Sequence, residues 1–243
     1  MSAALRSTTS TTTTTLDTRS ASPAPYGTES DDDTGAAVPI LPLAAAWTVY
    51  YSHRSAHQRI ANYEDAIKNI AEFATVQEFW RAYAYLKRPA DMQAISDYHI
   101  FRSGIRPMWE DSHNVKGGKW MIRLRKGIAG RFWEDLLLAM IGNQFHDPIN
   151  GVVLSIRSSE DILSIWMPEA AGSSSSPTSS SSSSDPAAVS EAKAAAAAAG
   201  VLSRTRDALK GLLHLPDNAT LEYKDHNDSL RDKSSFRNTD VLR

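Results

Sequence analysis

Cysteine is absent from the 243 residues. Disulfide staples and thiolate metal sites are therefore excluded, which fits a reducing compartment and a cytoplasmic location. No apolar run approaches the roughly 18 residues that a membrane helix needs, so no membrane association is expected. The Thr-rich start has no continuous apolar stretch, and no secretory leader is expected. Charge of one sign is lacking too: 26 Lys and Arg stand against 28 Asp and Glu. A wholly basic surface for nucleic acid is thus excluded, and any such binding must come from a local site.

The common motifs of catalysis are also missing. There is no Gly-x-Ser-x-Gly and no His-Glu-x-x-His. Lys116-Gly117-Gly118-Lys119 resembles part of a phosphate loop but lacks its leading glycine and its Ser/Thr. His53 and His57 have helical metal-ligand spacing, yet they fall in a polar loop without a third ligand. Solvated histidines are the expectation there. His146-Asp147 could be an acid–base pair, but no nucleophile accompanies it. Neither an enzyme nor a metal or cofactor is expected.

Two stretches cannot bury enough apolar surface to offset the entropy of ordering them. Residues 7 to 35 are almost entirely Ser, Thr, Ala, Pro, Gly and Asp, and residues 171 to 186 are nearly pure serine. The expected organisation is a disordered tail over 1–38 and a single domain over 39–230 that carries a Ser-rich insertion, 171–186. A flexible C-terminal tail over 231–243 completes it.

Within the domain, Trp47–Tyr51, Tyr98–Arg102 and Trp120–Arg125 read as strands, the last with one basic face. The stretches 151–156 and 161–166 read as a hairpin, and 220–223 as a last strand. Residues 66–73 fit either strand or helix. The spacing of Val76, Phe79, Trp80, Tyr83 and Leu86 predicts a helix over 75–87, opened by a Thr75/Glu78 capping box and stopped by Pro89. Further helices are expected over 130–142 and 187–213. Hairpin-linked strands without βαβ alternation predict an α+β fold, an antiparallel sheet with helices on one face.

Tryptophan is what stands out, with six residues in the chain. Trp47, Trp120 and Trp133 lie in periodic apolar segments and read as core. Trp109 sits instead in a polar loop, which makes it a candidate platform for a flat ligand, and on pattern alone no more than that. Glu110 beside it adds two acceptor oxygens that match the N1–H and exocyclic amine of guanine. Methylation at N7 would make the base cationic and strengthen stacking, each cation–π contact contributing about 0.5–2 kcal/mol. Lys119, Arg123, Arg125 and Arg157 could then hold phosphates, although without the Trp109 loop an ordinary solvated face is the preferred reading of them.

Several stretches then look familiar together. The run Gly104–Asp111, Gly117–Trp120, Phe79-Trp80, Arg131–Glu134, Gly151–Arg157 and Ile165-Trp166 resemble, in order and spacing, the cap-binding core of the eukaryotic translation initiation factor 4E family. In detail, Tyr63, Tyr50, Gly118–Gly127 and Leu221–Lys224 resemble the second class of that family, the initiation factor 4E homologous protein. The resemblance implies a curved antiparallel sheet with three helices on its convex face. It implies that Tyr63 and Trp109 sandwich the 7-methylguanine of a messenger RNA cap, that Glu110 bonds its edge, and that Trp166 lies near the N7 methyl. Arg157, Lys119 and Arg123 would meet the phosphates. Ser159 and Ile162 stand where the initiation factor keeps lysines, which implies weaker cap binding. Pro42, Val76, Trp80, Leu138 and Ile141 resemble the surface that docks a partner helix bearing Tyr-x-x-x-x-Leu and an apolar residue. Glu134 departs from the apolar residue usual beside it. The implied role is a monomeric regulator of translation initiation, activating or repressing. The alternative is a scaffold of this fold without useful cap binding.

Overall fold

Seven strands pair, all antiparallel, into one sheet. They are β1 (Pro42–His53), β2 (Ile67–Thr75), β3 (Ser96–Arg102), β4 (Gly118–Arg125), β5 (Gly151–Ile156), β6 (Glu160–Met167) and β7 (Leu221–Asp225). Their order across the curved sheet is β2-β1-β3-β5-β6-β4-β7. Irregularities in the β1–β2 register, at Pro42/Trp47 and Val49/Tyr50, are of the kind that bends a strand pair. The helices are α1 (Tyr63–Ala66), α2 (Val76–Tyr85), α3 (Ala129–Ile141), α4 (Pro186–Leu212) and α5 (His226–Asp232). This computed structural model describes residues 39–54, 63–169, 186–215 and 219–236, all within one unit, Pro39–Arg243. The expected tail 1–38, His57, and the insertion up to residue 185 lie outside the described residues.

One face of the sheet carries the core. Val49, Ile100, Leu154, Ile165 and Ile122 pack against Phe79 and Tyr83 of α2, Trp133, Leu136 and Met140 of α3, and Leu209 of α4. Three helices thus back the sheet, as expected. Trp47, Trp120 and Trp133 are all buried in this cluster. Truncating a core aromatic of this kind costs about 3–5 kcal/mol, because the lost transfer energy adds to that of the cavity.

Helix α2 shows how local signals and the fold agree. The Glu78 amide donates to Thr75 Oγ1 at 3.2 Å, and the Thr75 amide donates to Glu78 Oε2 at 3.1 Å. The helix ends at Tyr85, two residues before the expected stop. Pro89 forces Arg88 into an extended conformation (ψ 147°) and itself opens a 3₁₀ turn, Pro89–Asp91. The ambiguous segment resolves as β2, an edge strand in which Phe73 alone is buried. Helices α1 and α5 have no counterpart in the sequence reading. The domain end expected at 230 falls inside α5, so residues 231 and 232 are helix and not tail.

Candidate functional site

Strand order brings distant polar and aromatic residues into rows on the face away from the helices. Phe101 pairs in register with Gly151, Gly151 with Trp166, Trp166 with Lys119, and Lys119 with Lys224. The next rows hold His99, Val153, Ser164 and Met121, then Asp97, Ser155, Ile162 and Arg123. A Cβ at Gly151 would overlap the ring of Phe101. Glycine there lets that ring lie across the strand and meet Trp166 edge-on, at 5.2 Å and 77°. Gly118 is likewise required, because a Cβ would overlap the Tyr223 hydroxyl. The Gly117-Gly118 pair therefore serves strand packing and is not a phosphate loop.

A cleft of about 740 Å³ opens on this face. Trp109 and Glu110 line it, with Ala66 of α1, Asp97, His99, Lys119, Arg157 and Trp166. Trp109 also packs, half-buried, on the small cluster of Phe101, Ile105, Val153 and Trp166, joined by Tyr50. Glu110 is exposed.

The loop bearing Trp109 is braced from below. Asp111 Oδ1 accepts from the His113 amide at 3.0 Å and Oδ2 from the Arg106 amide at 3.2 Å. Burial alone would raise the Asp111 carboxyl, but these donors, with the His113 ring and the Arg106 guanidinium, hold it below its ordinary value. Asn114 donates to the carbonyls of Arg106 and Met108 at 2.9 and 2.8 Å, and Asn150 donates to Asn114 Oδ1 at 3.0 Å. Such a frame presents an indole and a carboxylate at low entropic cost to a ligand.

Cations gather at the other end of the cleft. Lys119, 1 % exposed, donates to Ser235 Oγ at 2.6 Å and lies 5.6 Å from the Trp166 ring. Burial pushes its ammonium down to about 7; Lys224 and Arg157 push the same way against the pull of Asp97. Arg157 pairs with Asp97 at 2.7 Å. Arg123 lies outside the cleft lining, on the same sheet face, paired with Glu160 at 2.6 Å and Glu222 at 3.4 Å. The basic strand face expected over 120–125 is thus only partly a solvated one.

Five of the seven expected site residues, Trp109, Glu110, Trp166, Arg157 and Lys119, share the cleft. Tyr63 opens α1, but its side chain lies outside the described atoms. Ala66 places that helix at the cleft rim, and Glu64 pairs with Arg106 at 2.6 Å, joining α1 to the Trp109 loop. Sequence reasoning missed Asp97 and His99, although period-2 alternation with Phe101 along β3 was their signal. It also missed Ser235 and Phe236, for which no local signal exists.

The residues expected to dock a partner lie at the helical back. Trp80 is 45 % exposed although its spacing reads as core, and Leu138 and Pro42 are exposed as well. Val76 and Ile141 are half-buried. Pro42 pairs in register with Thr75, directly before Val76. Glu134 is committed within the fold: it accepts from the Tyr83 hydroxyl at 2.6 Å and lies 3.9 Å from Arg88.

A braced ring and carboxylate in one cleft with Lys119 and Arg157 are the features of a binding protein for a flat, anionic ligand. The family model described as "Eukaryotic initiation factor 4E" matches residues 42–241. The rice (Oryza sativa subsp. japonica) "Eukaryotic translation initiation factor NCBP" is 42 % identical over 200 residues, 82 % of this chain and 77 % of that protein. "Eukaryotic translation initiation factor 4E-4" of Caenorhabditis elegans is 39 % identical over 180 residues, 73 % of each chain. Among solved structures, C. elegans eIF4E-3 in complex with the 4E-binding protein Mextli and cap analog aligns with a TM-score of 0.64 at 29 % identity, covering 79 % of this chain and 96 % of that one. Ascaris suum eIF4E-3 with m7G cap aligns at 0.63 and 29 % identity, covering 84 % and 98 %. The chain belongs to the eukaryotic initiation factor 4E family, among its variant, second-class members.

Proposed function

We propose that this chain binds the 7-methylguanosine cap of messenger RNA in the cleft and regulates translation initiation, as an initiation factor or as a repressor competing for caps. The observation that carries the reading is the adjacency of Trp109 and Glu110 on a braced loop, facing a cleft that ends at Lys119 and Arg157. Trp109 stacks on one face of the cationic base and Tyr63 on the other, each stack contributing about 1–3 kcal/mol. Glu110 accepts the N1–H and the exocyclic amine, Trp166 sits against the N7 methyl, and Arg157, Lys119 and Arg123 take the phosphates. The C. elegans and Ascaris relatives, solved with cap analog and m7G cap, support it. The role is that of a binding protein, not an enzyme, and assigns the chain to the cytoplasm, where capped messages are translated.

A partner helix with Tyr-x-x-x-x-Leu and an apolar residue docks on Pro42, Val76, Trp80, Leu138 and Ile141, in keeping with the Mextli complex of the C. elegans relative. Ser159, exposed in the β5–β6 turn, and Ile162, buried in β6, supply no charge where the initiation factor keeps lysines. Cap affinity is accordingly weaker than that of the initiation factor at the same salt. Retention on a cap-analogue resin tests the reading. The chain is retained, Trp109→Ala and Glu110→Ala elute early, and retention of the variants equal to wild type would sink it.

A further inference from the structure

The chain's own C-terminal segment lies on the cations that the cap reading assigns to phosphates. Lys233 takes a left-handed conformation (φ 47°) at the end of α5. The Ser234 amide then bonds back to the Ser229 carbonyl at 3.2 Å, and the Ser234 carbonyl accepts from Lys224 Nζ at 3.1 Å. The next two residues cross the cationic end. Ser235 Oγ accepts from Lys119 Nζ at 2.6 Å, and the Phe236 carbonyl accepts from Arg123 Nη2 at 2.7 Å. The Phe236 ring lies 5.5 Å from the Lys119 ammonium and 4.9 Å from the Arg157 guanidinium, and it lines the cleft. One short segment therefore supplies a hydroxyl, a carbonyl and a π face to three cations.

All three of these acceptors are neutral, and a phosphate is not. Cationic donors already make charge-assisted bonds to these neutral oxygens, and an anionic acceptor adds Coulomb attraction on top of that. Arg157 and Arg123 also have carboxylate partners, Asp97 for the first and Glu160 and Glu222 for the second. Among the described residues Lys119 makes its side-chain hydrogen bond to a hydroxyl alone, on a nearly fully buried ammonium. A phosphate chain reaching Lys119 must move Ser235 and the ring of Phe236, and that displacement subtracts from what the phosphates contribute.

We propose that Ser235 and Phe236 compete with the phosphate chain of a bound cap for Lys119, Arg123 and Arg157, and so set how far the phosphates tighten binding beyond the methylated base. This rests on the cap reading of the cleft. Tryptophan fluorescence titrations at one salt concentration would compare the full chain, a chain ending at Lys233, and the double variant Ser235→Ala/Phe236→Ala. The ligands are 7-methylguanosine and 7-methyl-GTP. The shortened chain binds 7-methyl-GTP about five- to tenfold tighter than the full chain, and 7-methylguanosine equally. The double variant, which keeps the Phe236 carbonyl and guards against a shortened chain that fails to fold, gains about two- to fivefold for 7-methyl-GTP only. Unchanged or weaker 7-methyl-GTP binding by both variants overturns the proposal while the cap reading stands. An equal gain for nucleoside and triphosphate overturns it as well. Failure of every protein to bind either ligand overturns the cap reading and this proposal with it.

Discussion

Arg106 Nη1 lies 2.6 Å from Glu64 Oε1, and Arg106 Nε lies 3.4 Å from Asp111 Oδ2. One guanidinium thus joins the helix that begins with Tyr63 to the buried carboxylate bracing the Trp109 loop. Two segments 42 residues apart are aligned by it. The Arg106–Glu64 pair is exposed on both sides, so it contributes at most about 1 kcal/mol to stability. On the proposed cap reading, its larger effect is to align the two elements that would stack on the base. Glu64→Ala and Arg106→Ala each weaken 7-methylguanosine binding by about two- to fivefold, and the double variant is no worse than the poorer single one. Additive losses in that double-mutant cycle would show that the pair does not act as a unit.

On the proposed cap reading, Lys119 would make triphosphate binding sensitive to pH. Its ammonium is pushed down to about 7, chiefly by burial and then by Lys224. As pH rises through that value the free protein loses the charge, so its attraction for phosphate is present in mild acid and lost in alkali. A bound phosphate moves the loss upward. The 7-methylated base sheds its own N1 proton in weak alkali, but it does so equally for any variant. The affinity ratio of wild type to Lys119→Met for 7-methyl-GTP therefore falls from about tenfold near pH 6 towards unity above about pH 9. A ratio independent of pH would remove Lys119 from the phosphate contacts.

Two buried histidines make the fold itself acid-sensitive. The His226 ring lies 4.1 Å from that of Trp166, and neither of its nitrogens has a hydrogen-bond partner among the described residues. Burial, aided by Lys119, pushes it down to about 3, and burial likewise pushes His99 down to about 4. Both values lie below the ordinary 6.5, so the unfolded chain takes up protons first. Stability is full above about pH 6.5 and is lost as pH falls, each histidine adding a slope of about 1.4 kcal/mol per pH unit until its folded value is reached. His226→Phe keeps a ring against Trp166 and removes one proton from that slope. Urea midpoints between about pH 6.5 and 4 check this, and a variant as acid-sensitive as wild type refutes it.

Trp80 separates the two faces. It packs edge-on with Phe79 at 5.1 Å and Tyr83 at 5.9 Å, on the side of the sheet away from the cleft. Trp80→Ala lowers affinity for a Tyr-x-x-x-x-Leu peptide by about tenfold or more, as expected for an aromatic anchor in a helix-docking surface. Retention on cap resin stays at the wild-type level. Calorimetry with the peptide, run beside the resin assay, reads both.

Much of the architecture was legible in one dimension because its signals are local. The Thr75/Glu78 box, the period of α2 and α3, the alternation in β4 and the short apolar runs of β5 and β6 each lie within a single element. Residues 66–73 were not legible, since an edge strand with one buried side chain carries no period and only pairing with β1 decides it. Trp80 shows the opposite failure: a helical stripe marks an apolar face but not whether something covers it.

By itself the sequence determined the α+β class, the helical back, the core tryptophans and the loop that offers Trp109 and Glu110. It did so because helix caps, strand alternation and a tryptophan among polar neighbours are all short-range patterns. Tertiary structure alone decided that Asp97, His99 and Trp166 face Lys119, that Glu64 meets Arg106, and that Ser235 lies on an ammonium 116 positions away. Those relationships depend on strand order and register, which follow from the packing of the whole sheet and from no single segment.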